Sequence, residues 1–197
     1  MRTMLVGAVM LLACLFGAAR ADEASAVKAV ENLGGKVTRD DKLPDKPVIG
    51  VNLAGTQVTD TGLKELADLK QLTTLDLSGA AVTGAGLKEL KDLKQLTSLN
   101  LYQTPVTDAD LKELADLKQL TSLNLGHTQV TDAGLKELAD LKQLTTLGLA
   151  STQVTDAGLK ELADLKQLTT LNLEGTKVTA DGMADLQKAL PGCGITR

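Results

Sequence analysis

Written in rows of 24, the chain repeats itself. Leu72, Leu96, Leu120, Leu144 and Leu168 fall in one column, and Leu75, Leu99, Leu123, Leu147 and Leu171 in a second. Leu77, Leu101, Leu125, Leu149 and Leu173 form a third. The row reads LxxLxLxxTxVTDAGLKELADLKQ and recurs without insertion or deletion. Backward extension brings Val48, Val51 and Leu53 into the same columns, and forward extension brings Ile195 into the second. Residues 48–191 thus hold six full rows and residues 192–197 the stub of a seventh. Such a period constrains the fold strongly, because one row cannot bury an apolar face alone and only stacked neighbours share a core.

Within a row the apolar spacing changes once. Leu75 and Leu77 share one side of an extended segment, which turns Thr74, Asp76 and Ser78 to the other. From Leu87 the leucines recur at intervals of three (Leu87, Leu90, Leu93), as on one face of a short helix. Each row therefore reads as strand, turn and helix. The Thr-Asp pair ahead of the helix, as in Thr131-Asp132, offers a hydroxyl and a carboxylate to the free amides of the first turn and suits the helix dipole. Parallel strands stack about 4.8 Å apart, whereas packed helices need roughly 8–10 Å, so the stack must curve with its sheet inside. The chain has one Phe, one Tyr and no Trp. The core must therefore be aliphatic, with about seven side chains per row each contributing roughly 1.5–3 kcal/mol on full burial. Thr56, Thr104, Thr128, Thr152 and Thr176 follow the strands, where hydroxyls are expected to satisfy turn groups that face inward. Ala80 breaks that column, and the same row has Gly84 for Asp and Lys91 for Ala, so the weakest local stability is expected there.

The row resembles the leucine-rich repeat, L-x-x-L-x-L-x-x-N/C-x-L with roughly 20–29 residues per turn, over residues 48–197. Its V-T-D-x-G-L helix start is similar to secreted bacterial repeats related to the cysteine-containing repeats behind eukaryotic F-boxes. The resemblance implies an α/β leucine-rich-repeat solenoid, with a parallel sheet on the concave side and short helices on the convex side, that binds rather than catalyses. Two features depart from the pattern: Thr stands where the family has Asn or Cys, and there is no F-box segment.

The ends read differently from the middle. Arg2, an apolar run from Met4 to Ala19 and Ala19-Arg20-Ala21 form a secretory signal over residues 1–21. The run is shorter than the roughly 20 residues of a membrane span. Leu11-Leu12-Ala13-Cys14 also loosely resembles a lipobox, although Leu15 and Phe16 continue the apolar run. Residues 22–47 are expected to form an N-terminal cap: Ala26, Val30 and Leu33 lie at helical spacing, Gly34-Gly35 stops the helix, and Val37–Pro47 reads as a connecting loop. At the other end Met183, Leu186 and Leu190 continue the last helix, Pro191-Gly192 turns the chain and Ile195 seeds a short strand.

Cleavage after Ala21 removes Arg2 and Arg20 from 21 basic residues set against 25 acidic ones. The resulting acidic chain is a poor match for nucleic acid or an anionic membrane. Cleavage also leaves Cys193 as the sole thiol, so the expected state is a monomer, with an intermolecular disulfide as the alternative. No nucleophile–base pair, metal cluster or phosphate loop stands out, and the expectation is a non-enzyme without cofactor or metal. The recurring Lys and Glu columns read as a solvated convex face.

The outward positions of the strands and their turns vary while the frame does not. One column runs Asn52, Asp76, Asn100, Asn124, Gly148, Asn172, and the next Ala54, Ser78, Tyr102, Gly126, Ala150, Glu174. Beside it lie Gly55, Gly79, Gln103, His127, Ser151 and Gly175. Tyr102, Gln103 and His127, flanked by Asn100, Asn124 and Asp76, are the expected contacts for a protein, peptide or glycan partner. A structural spacer and a ubiquitin-ligase adaptor are the alternative readings. The adaptor requires a cytosolic protein with an F-box.

Overall fold

The computed structural model describes residues 23–197. The expected secretory signal, with the alternative of lipid attachment at Cys14, lies outside the described residues. Among the described residues a single sheet runs in chain order through β1 (Lys36–Arg39), β2 (Val48–Asn52), β3 (Thr74–Asp76), β4 (Ser98–Asn100), β5 (Ser122–Asn124), β6 (Thr146–Gly148), β7 (Thr170–Asn172) and β8 (Gly194–Thr196). From β2 onward all pairs are parallel and in one register, so that Val51, Leu75, Leu99, Leu123, Leu147, Leu171 and Ile195 stand opposite one another. These side chains point inward and are buried up to Leu171. With Leu53, Leu77 and their successors they form one continuous aliphatic core.

The convex side is wound more tightly than a short α-helix. After α1 (residues 23–32), single turns α2 (Asp60–Leu63), α3 (Gly84–Leu87), α4 (Asp132–Leu135) and α5 (Asp156–Leu159) pass straight into 3₁₀ segments such as Lys88–Asp92 and Lys136–Leu138. In the third repeat the whole of Asp108–Leu114 is 3₁₀. Leucines at intervals of three stack on one side only when the turn holds three residues, as in a 3₁₀-helix. In the last repeat the apolar spacing relaxes to Met183, Leu186, Leu190, and α6 (Ala180–Ala189) is a true α-helix.

The segment Val37–Pro47, expected as a loop, begins instead within a strand. β1 pairs antiparallel with β2, placing Lys36 opposite Asn52 and Thr38 opposite Gly50. An unpaired β2 would expose a row of backbone groups, and β1 covers that edge. Val37 packs on the core beneath it. Glu23 fastens the cap, accepting hydrogen bonds from Arg39 Nη1 at 2.6 Å and from the Val48 N–H at 3.2 Å, which ties α1 to β1 and β2.

Polar side chains join the repeats, in part differently from the sequence expectation. Thr59 makes no cap bond, but threonine hydroxyls cap their own helices in several repeats, Thr131 accepting from the Ala133 N–H and Thr155 from that of Ala157. The aspartates do not: each carboxylate reaches into the following repeat. Thr83 donates its N–H and hydroxyl to Asp60, both at 2.7 Å, and Thr131 does the same to Asp108, Thr155 to Asp132 and Thr179 to Asp156. Glycine makes this reach possible, since a Cβ at Gly86 would stand 2.5 Å from Asp60 Oδ1, and Gly134, Gly158 and Gly182 are crowded in the same way. A second series runs beside the strands: the hydroxyls of Thr73, Thr97, Thr121, Thr145 and Thr169 each donate to the carbonyl 24 residues earlier, at 2.9–3.1 Å. The Thr104 column closes its own turns instead, as Thr104 Oγ1 donates to the Leu101 carbonyl at 2.7 Å. At Ala80 the backbone N–H still bonds Leu77 O at 3.0 Å, so only the hydroxyl bond is missing.

Gly84, which removes the carboxylate from the second repeat, is matched by an opposite exchange in the third. Asp110 occupies the column where other repeats have glycine, and its Oδ2 accepts both the N–H and the hydroxyl of Thr107, at 2.9 and 2.8 Å. The carboxyl lies where a Cβ on residue 84 would collide with it. Thr107 thus receives from its own repeat the carboxylate that its predecessor lacks.

The two exchanges should be energetically coupled. Asp110→Gly is expected to cost about 1–3 kcal/mol by stripping Thr107 of its acceptor, and Gly84→Asp a similar amount by crowding two carboxylates. The double variant restores the common row, so denaturant melts should return it to within about 0.5 kcal/mol of the parent. The same clamps make stability depend on acid. The Thr179 N–H, and then its hydroxyl, hold the Asp156 carboxyl below the ordinary aspartate range. A carboxyl lowered on folding stabilises the fold above its ordinary value and loses that contribution as pH falls through the lower, folded value. Thermal melts over this acid range should fall less steeply for Asp156→Asn, which should already be the less stable protein at neutral pH.

Candidate functional site

The C-terminal rim of the sheet is built by a turn that recurs in every repeat. After each strand the backbone ladder continues for one more step: the Leu101 N–H bonds Asn124 O at 2.8 Å and the Gln103 N–H bonds Gly126 O at 2.9 Å. The outward Asx column braces the same turn. The Oδ1 atoms of Asn52, Asp76, Asn100, Asn124 and Asn172 accept the N–H two residues ahead, at 2.9–3.1 Å. Asn100 and Asn124 are thus first of all turn supports. Their Nδ2 groups are the donors that remain for a ligand. Gly148 interrupts the column, and a Cβ there would lie 2.6 Å from Asn124 Oδ1.

At the tip of this turn the backbone is left-handed. Gly55, Gly79 and Gly175 take φ values of 65°, 71° and 70°. In the three repeats between, the same position is filled by Gln103, His127 and Ser151, at 57°, 56° and 55°. Left-handed backbone costs an L-residue roughly 1–2 kcal/mol and a glycine almost nothing. Three adjacent repeats therefore hold exposed side chains where the rest of the fold uses glycine.

Tyr102 joins these residues through a neighbouring glycine. Its column continues with Gly126, where a Cβ would stand 3.0 Å from Tyr102 Cδ2, so the ring can lie across the next repeat. There it meets His127 edge to face, with ring centroids 4.9 Å apart and planes at 67°. Tyr102 is partly buried and Gln103, His127 and Ser151 are exposed.

Of the six residues expected from the sequence, the structure brings Tyr102, Gln103 and His127 together at the rim and puts Asn100 and Asn124 beneath them as braces. Asp76 lies apart, near the N-terminal end of the concave face. Ser151 and Gly126 belong to the rim but carry no chemistry that would single them out in the sequence. The signal for Ser151 was the glycine that recurs at residues 55, 79 and 175, and for Gly126 its place one repeat beyond the sole tyrosine.

A family model described as Leucine Rich repeat matches residues 51–67, 70–91, 118–139 and 142–163. The stretch between 91 and 118 contains Tyr102, Pro105 and Asp110. Among solved structures, a leucine-rich-repeat protein of Leptospira interrogans is 29% identical, with a TM-score of 0.56 over 68% of this chain and 33% of its own. The present chain thus spans about a third of that protein. Internalin C2 of Listeria monocytogenes is similar in fold, with a TM-score of 0.53 at 21% identity over 88% of this chain and 93% of its own. No curated protein sequence matches the chain.

Cys193 lies away from the rim, buried beneath the C-terminal turn. Gln187 Nε2 pins that turn by donating to the carbonyls of Leu190 and Cys193, at 2.8 and 3.0 Å. Burial pushes the thiol pKa up, which disfavours the reactive thiolate. A disulfide-exchange reagent at neutral pH should therefore label the native protein at least about tenfold more slowly than the urea-unfolded chain. A native rate equal to the unfolded one would show Cys193 to be accessible for an intermolecular disulfide.

Proposed function

On the premise that this chain belongs to the leucine-rich-repeat proteins, we propose that it is an exported, non-catalytic interaction module that holds a protein partner at the rim formed by Tyr102, Gln103, His127 and Ser151. The carrying observation is the run of three non-glycine residues in the left-handed column. Strained backbone survives only where the surroundings fix it, and it clusters where side chains are used. Beside it stands a tyrosine packed on an imidazole. Tyr is enriched among the anchors of protein interfaces, since it supplies area and a polar tip at low entropic cost. Export is supported by the sequence of residues 1–21, and N-terminal sequencing of protein recovered outside the cytoplasm should begin at Asp22.

The strain makes the reading testable in one variant. Converting Gln103, His127 and Ser151 together to glycine relieves left-handed backbone but returns freedom to the unfolded chain, leaving a net gain of about 0.5–1 kcal/mol per site. The triple variant should melt a few degrees higher and should lose the proteins that the parent captures from its own extracellular or envelope fraction. Equal capture by parent and variant would reduce the rim to drift on a structural spacer.

A further inference from the structure

A second feature of the concave face stands apart from the rim. At its N-terminal end a hollow of about 310 Å³ is lined by Thr38, Asn52, Thr73, Thr74 and Asp76, together with Ile49, Gly50 and Val51 of β2. The register explains it. Gly50 is opposite Thr74 on one side and Thr38 on the other, in the row that continues with Ser98, Ser122, Thr146 and Thr170. Where those repeats present a hydroxyl side chain, the first presents none. A Cβ at Gly50 would stand 3.1 Å from Thr38 Cβ, so glycine also lets β1 approach β2 closely on that side.

The groups around the hollow are only half engaged. Asp76 Oδ1 accepts the Ser78 N–H and Asn52 Oδ1 the Ala54 N–H, which leaves Asp76 Oδ2 and Asn52 Nδ2 without a hydrogen bond among the described residues. Thr73 Oγ1 donates to the Ile49 carbonyl at the floor. The exposed hydroxyls of Thr38 and Thr74 make no hydrogen bond among the described residues. The hollow thus offers one charged acceptor, one carboxamide donor and two hydroxyls within a shallow, otherwise neutral surface. It is also the place where the Asx column carries a carboxylate rather than a carboxamide.

This donor and acceptor set discriminates among ligands. A single carboxylate does not hold a divalent cation, which takes six or more oxygens, and its charge disfavours phosphate and other anions. An extended peptide pairs with a free strand edge, and here β1, β2 and β3 bond one another. Adjacent ring hydroxyls of a sugar fit: they donate to a carboxylate oxygen and accept from a carboxamide and from threonine hydroxyls. The volume is at the lower end of the roughly 300–1,000 Å³ range of small-molecule sites, enough for one sugar ring. The geometry points to a binding site for a neutral pyranose unit with adjacent free hydroxyls, in which Asp76 and Asn52 read the diol and Thr38 and Thr74 flank it.

The assignment is independent of the rim and is tested separately. The full chain, labelled with nitrogen-15, is titrated with methyl glycosides of glucose, galactose, mannose and N-acetylglucosamine up to about 50 mM, as suits a single-ring site with millimolar affinity. At least one glycoside should move the amide signals of Thr38, Asn52, Thr74 and Asp76 in a saturable way. Asp76→Asn keeps the turn, since Asn braces it in the repeats of Asn52, Asn100, Asn124 and Asn172. It should weaken binding at least about tenfold, the loss of a charged acceptor, while leaving partner capture at the rim unchanged. No shift with any of the four glycosides, shifts confined to Tyr102 and His127, or a titration that Asp76→Asn leaves unaltered would each overturn the assignment.

Discussion

Every repeat leaves groups that the next one must satisfy, and equal repeat length lets it do so. The parallel ladder sets each inward leucine opposite the leucine 24 residues on. Once that register is fixed, the carbonyl of Thr97 meets the hydroxyl of Thr121, and the carboxylate of Asp108 meets the N–H and hydroxyl of Thr131. A one-residue slip would turn the inward leucines out to the concave face and at the same time strand the aspartates without donors. Apolar burial supplies most of the energy, but the polar clamps tolerate no change of spacing.

Departures from the common row are informative because the rest of the frame is so regular. They are of two kinds. Gly84 and Asp110 each break the row, yet together they deliver a carboxylate to Thr107, so the structure is maintained by a different route. The neighbours of Gln103, His127 and Ser151 offer no such compensation: the backbone stays left-handed and the strain stays with it. Gly126 belongs with this second kind, since it gives up a side chain and so admits the Tyr102 ring. The first kind of departure has its explanation inside the fold. The second has no counterpart inside the fold, and the proposed partner contact would supply one from outside.

The two proposed surfaces use the same Asx column in different ways. At the rim the Asx side chains act as braces, and the proposed recognition would fall to the residues above them. At the N-terminal end the Asx column itself lines the hollow beside Gly50, where the proposed sugar site lies. A stiff scaffold suits both, because the Asx braces fix the turn backbone that carries these residues before any ligand arrives.

The repeat, its strand and turn, the direction of curvature and the aliphatic core were all legible in the sequence, because periodicity of apolar residues reports which side chains must be buried together. So was the meeting of Tyr102 with His127, since equal repeats place residues 24 or 25 apart on adjacent turns. Four things were decided only in three dimensions. The convex segments became 3₁₀ because leucines three apart stack only at that pitch. The Val37–Arg39 stretch became a strand because β2 needed a partner. The aspartates bonded across repeats rather than to their own helices because glycines opened the way. The left-handed column, finally, is a property of backbone angles, and Gln, His and Ser do not announce it. A linear pattern specifies what lies beside what, but not which conformation the chain must take to arrive there.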